Sequence, residues 1–106
     1  MRKVDAELVK AIRHQTDFSK GNRQVIQNEN GTTDVFFHGH RIAAFINEEL
    51  MIDNCGYWTN TTKQILNVLL GEFCNSTLHQ SNFDWFVTSP SGEQEYLGGS
   101  YTVGLA

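Results

Sequence analysis

One run of side chains limits what this chain can fold into more than any other. Ile65, Leu66, Leu69, Leu70 and Phe73 recur at helical spacing and make a wide apolar face. A helix with such a face must lie across another apolar surface. Its start is marked by Thr59 or Asn60, whose side-chain oxygens reach the free N–H groups of a first turn. Thr61 and Thr62 are poor inside a helix but acceptable in that turn, and Gly71 weakens the far end. The pattern predicts a helix over 61–73. It follows a turn that Gly56 permits and the aromatic pair Tyr57-Trp58.

The surface beneath it reads as short strands. Residues 24–28 and 33–37 flank Asn28-Glu29-Asn30-Gly31, and Asn-Gly is a strong hairpin signal. His38-Gly39-His40 is the next turn. Residues 41–46 follow, with Ile42, Ala44 and Ile46 alternating against Ala43 and Phe45. Asn47-Glu48-Glu49 turns the chain into 50–52. Four strands at this spacing predict an antiparallel meander. After the helix, 74–82 is polar and loop-like. Residues 83–87 read as a strand, with Phe83, Trp85 and Val87 on one face. Ser89-Pro90-Ser91-Gly92 is a turn. Residues 95–97 and 101–103 are weaker strands broken by Gly98-Gly99.

At the other end, 4–16 reads as a helix with a narrow stripe of Leu8, Ala11, Ile12 and Gln15, flanked by Val4 and Val9. So narrow a stripe suits docking on a larger body, or on a second chain as a homodimer through helix 4–16. Residues 19–22 then form a linker. The expected class is α+β: an N-terminal helix, an antiparallel meander of short strands, one capped helix across it, and C-terminal strands. A chain of 106 residues makes one domain. Within 1–106, residues 1–20 form the helical arm, 23–88 the core, and 89–106 a hairpin or extended arm.

Charge is unevenly divided. Residues 1–23 carry Arg2, Lys3, Lys10, Arg13, Lys20 and Arg23 against three acids, a balance of +3, while 24–106 carries two bases against nine acids, −7; together they make −4. A basic arm on an acidic body implies two partner-facing surfaces, or an arm lying on its own body. No apolar run approaches the ~20 residues of a membrane span. The first residues have no apolar signal region, so the cytoplasm is expected, with Cys55 and Cys74 reduced.

Chemical motifs are sparse. His38 and His40 could join Cys55, Cys74 and His79 around a zinc ion, but structural zinc wants closely paired ligands. Two exposed turn histidines are the simpler reading. A Cys–His nucleophile pair is compatible with composition alone. No phosphate loop or dinucleotide fingerprint is present. The sharpest local chemistry is Tyr57-Trp58 before Thr59-Asn60-Thr61-Thr62-Lys63. A helix start with hydroxyls and a lysine can hold a phosphate, and Trp58 can stack on a base. Core packing and capping explain the same residues. No cofactor, metal or enzymatic activity is expected.

The stretch also carries a resemblance. His38-Gly39, Ile42-Ala43, Gly56, Trp58-Thr59, Thr61-Thr62-Lys63, Leu66-Asn67 and Trp85-Phe86-Val87 resemble a pattern in small, uncharacterised proteins of tailed bacteriophages and some plasmids. It covers about residues 33–88 and departs where Ile65 replaces the usual arginine. The resemblance implies a phage origin and an accessory role. A small acidic chain of this kind is expected to bind and inhibit a host protein complex, such as a defence system, by an anti-CRISPR or anti-restriction action. The expected contacts are Asp34, Glu48, Glu49 and Asp53. The alternative is a nucleic-acid-binding regulator using Lys3, Lys10, Arg13, Lys20, Trp58 and Lys63.

Overall fold

A computed structural model describes all of residues 1–106. In chain order it holds α1 (Lys3–Arg13), β1 (Phe18–Lys20), β2 (Arg23–Gln27), β3 (Thr33–Phe37), β4 (His40–Ile46) and β5 (Glu49–Asp53). There follow α2 (Asn60–Cys74), β6 (Thr77–Ser81), β7 (Asp84–Ser89), β8 (Gly92–Tyr96) and β9 (Ser100–Gly104). A six-stranded sheet runs β1-β2-β3-β4-β5-β9 and a three-stranded sheet runs β6-β7-β8, all antiparallel. This is the expected α+β class.

The core forms where α2 meets the large sheet. Ile65, Leu66, Leu69 and Leu70 are fully buried, and Phe73 packs edge-on against Phe45 with ring centroids 5.0 Å apart. Thr59 is the cap: its hydroxyl accepts the Thr62 N–H. From the sheet come Val25, Val35, Ala43, Leu50, Ile52 and Val103, which alternation places on a single face. In β4 the expected simple alternation fails. Val35 pairs with Ala43 but Phe36 pairs with Arg41, so Ile42 is the extra residue of a bulge. Ile42 therefore joins the core beside its neighbour Ala43.

Several expected features move. The first helix stops at Arg13, and Gln15 leaves the stripe in a left-handed turn at φ 55°. Leu8, Val9, Ala11 and Ile12 are buried within the chain's own body. Of the expected linker 19–22, Ser19 and Lys20 belong to the edge strand β1, and only Gly21-Asn22 connects, as the loop to β2. The polar stretch after α2 is also a strand. Thr77–Ser81 alternates Leu78 inward against four exposed residues, a pattern that apolar runs do not reveal. The tail is neither a hairpin nor a free arm: β8 closes the small sheet and β9 crosses over to pair with β5.

Phe83 also departs from its expected place. Trp85 and Val87 point inward, but Phe83 lies in the β6–β7 turn and is 91 % exposed. This turn belongs to a set. Gly21-Asn22, His38-Gly39, Asn47-Glu48 and Asn82-Phe83 are two-residue loops with both φ values positive, between 50° and 78°. Such loops match the twist of antiparallel strands and favour Gly or Asn. Glu48 and Phe83 occupy them against that preference.

Candidate functional surfaces

Both helices and the small sheet contribute to the core on one side of the large sheet. The other side carries no core residue. Register places Ile26, Asp34, Ala44, Met51 and Thr102 in one row across it. Phe36 and Arg41 form a neighbouring pair, and Ile46 pairs with Glu49. Ile26, Phe36 and Met51 are half-buried, Ile46 is exposed, and only the small Ala44 is fully covered by its neighbours.

The four expected acidic contact residues lie on or beside this face. Asp34 accepts a hydrogen bond from the Asn28 side chain at 2.9 Å and lies 3.5 Å from Arg41. Glu49 is exposed in β5, and Glu48 stands in the loop before it. Asp53 ends β5, where its carboxylate accepts the Cys55 N–H at 2.8 Å. Part of its charge is thus turned inward.

Of the six basic residues of the N-terminal segment, Arg13, Lys20 and Arg23 are engaged within the chain. Arg23 is buried, 2.8 Å from Asp5 and bonded to the Gly21 carbonyl, with its guanidinium over the Phe37 ring. Lys20 pairs with Glu7 at 3.1 Å. Arg13 lies over Phe73 and 3.8 Å from Glu72. Lys3 and Lys10 are exposed on α1 without an ion pair. Half of the arm's basic side chains are therefore paired on its own body and half face solvent. Lys63 turns to Gln80 of β6, donating at 2.8 Å.

At the start of α2 lies a concavity that no spacing in the sequence predicts. His38, His40, Tyr57, Thr59, Thr61 and Thr62 line a cavity of about 430 Å³ with Phe37 and Ile42. The Tyr57 hydroxyl and His40 Nε2 are 3.1 Å apart. The cavity offers hydroxyls and imidazoles around an apolar wall. The loop at His38-Gly39, expected as a turn, and the bulge at Ile42, which no spacing signals, bring these elements together. His79 lies elsewhere, stacked on Phe86 in the small sheet.

Both cysteines are free. Burial raises the pKa of Cys55, with a further push from Asp53 and an opposing pull from Arg41. Burial alone raises Cys74 to about 11. Such thiols stay protonated near neutrality, unlike the thiolates that act as nucleophiles. No cluster of three His, Cys, Asp or Glu side chains converges as a metal-ligand set.

A further surface escaped the sequence reading. Trp58, expected either to plug the core or to stack on a base, packs only partly against the core. It is 49 % exposed and stands edge-on to the buried Trp85 at 4.9 Å. With Phe83, Asp84, Trp85, Glu95, Tyr96 and Leu97 it lines a pocket of about 310 Å³. The exposed apolar tip at Phe83 was hidden because its side chain fits the alternation of β7 equally well.

A two-helix, two-sheet domain with no helix long and apolar enough to cross a membrane defines a small α+β protein. A family model described as Kyanoviridae Gp96 protein matches residues 1–104, so the chain belongs to that phage protein family. No curated protein and no solved structure matches it.

Proposed function

We propose that this phage protein is a non-enzymatic accessory factor that binds a host protein complex. Inhibition of a defence system, of anti-CRISPR or anti-restriction type, is the action that fits its charge and size. The observation that carries the reading is the uncovered side of the large sheet. Ile26, Phe36, Ala44, Ile46 and Met51 are its apolar residues, with the Asp34–Arg41 ion pair among them, Glu49 and Asp53 along β5 and Glu48 at one end. An apolar centre with a charged rim is the general anatomy of a protein interface. The acidic rim favours a partner with a basic groove, of the kind that holds nucleic acid. The raised thiol pKa values support the non-enzymatic part.

The nucleic-acid alternative has less support, because Arg13 and Lys20 already face carboxylates of the same chain. The test is capture from nuclease-treated host lysate by three forms of the protein. Wild type and the Lys3→Ala/Lys10→Ala variant should hold the same partner, and Met51→Lys should lose it. Loss with the lysine variant and retention with Met51→Lys would reverse the reading. A gel shift that weakens steeply with salt would then be expected, as phosphate contacts require.

A further inference from the structure

The pocket beside the β6–β7 turn has an unusual rim. Phe83 is 91 % exposed, Leu97 79 % and Trp58 49 %, while its floor, Trp85 and Tyr96, is buried. Apolar side chains this exposed are unusual when several line one concavity. The turn adds a second observation. Phe83 is held at φ 71° in a position that favours glycine. A bulky residue kept there, with almost none of its surface buried, does not serve the fold. Strain of this kind concentrates at binding sites.

The chemistry of the walls indicates the occupant. Asp84 and Glu95 line the pocket, and no lysine or arginine does. Residues 82–99 carry Asp84, Glu93 and Glu95 with no basic residue at all, a charge of −3. Aromatic faces beside carboxylates attract a cation on an apolar stem. A nucleic acid or a phosphate would be repelled by the same walls.

We propose that this pocket docks an arginine or lysine side chain of a partner protein, whose adjacent apolar residue rests on Phe83 and Leu97. The proposal rests on the protein-binding reading above and names a second anchor for it, separate from the open side of the large sheet.

The test uses a capped six-residue peptide containing Leu-Arg-Leu-Arg, followed by the two tryptophan indole N–H signals in NMR. Its control is the same peptide with citrulline for arginine, which keeps shape and removes charge. The Trp58 signal should move saturably with the arginine peptide, with affinity at least tenfold above the citrulline form. Asp84→Asn/Glu95→Gln should erase that difference. Phe83→Gly should weaken binding at least tenfold while its melting temperature is not lowered. Equal affinity for both peptides, or unchanged binding by Phe83→Gly, would overturn the proposal. The assay contains no host protein. Failure of lysate capture with peptide binding intact therefore sinks only the host-partner reading, and the converse sinks only the pocket.

Discussion

Replacing Phe83 with glycine should make this protein more stable, although it deletes the largest kind of apolar side chain. Phe83 sits at φ 71° beside Asn82 at φ 50°, in a two-residue loop closed by the Ser81–Asp84 pair. An L-residue in left-handed backbone costs roughly 1–2 kcal/mol. Glycine removes that cost but loses roughly 0.5–1 kcal/mol to its greater freedom when unfolded. The side chain is 91 % exposed, so almost no hydrophobic burial is forfeited. The net gain is about 0–1.5 kcal/mol, and about 4–8 °C per kcal/mol for a domain of this size gives a rise of up to about 12 °C. Scanning calorimetry at one pH and concentration reads it directly. Glu48→Gly, at φ 63° in the equivalent loop between β4 and β5, is the internal control and should move the same way. A fall in the Phe83→Gly melting temperature would refute the reasoning, because it would mean that the ring supports the fold.

Three other perturbations probe the fold. Asp5→Ala leaves Arg23 buried without its carboxylate and should destabilise by about 3–5 kcal/mol in urea unfolding, whereas Asp5→Leu with Arg23→Met should recover most of that loss. Thr59→Ala removes the hydroxyl that accepts the Thr62 N–H, which should cost about 1 kcal/mol by the same assay. Stability should also fall in alkali. Burial pushes Cys74 from 9.0 to about 11, and Tyr96 from 10.0 to about 12 despite the Asn54 N–H bond to its hydroxyl. Both groups hold their protons more tightly when folded, so their contribution is complete below pH 9 and is lost as pH rises toward 12. The urea midpoint should drop across that window, and Cys74→Ala should remove the part below about pH 11.

What could be read from the sequence was whatever a period or a cap announces. Ile65, Leu66, Leu69 and Leu70 point inward as their spacing requires, and Thr59 begins the helix as its side chain allows. The Asn28–Gly31 turn joins β2 to β3. The misses have local physical causes. Strand β6 contributes a single core residue, Leu78, so it has no apolar alternation to see. The bulge at Ile42 shifts the two halves of β4 against each other, which no propensity signals. The buried pairing of Asp5 with Arg23 joins groups eighteen positions apart and makes two charged residues part of the interior. For the candidate surfaces, Asp34, Glu49 and Asp53 were recognisable as acidic, but only strand register shows that they share one side.

The crossing of β9 to the edge of β5 affects how the chain is made. Leu50 meets Val103 across that seam, with α2 and the whole small sheet between them in sequence. While a ribosome is still adding residues 54–99, β5 has its β4 partner and an open edge on the other side. Exposed edges of that kind recruit other chains. The large sheet is therefore completed only after residues 100–104 are free to dock, and a translation product lacking them would be prone to self-association.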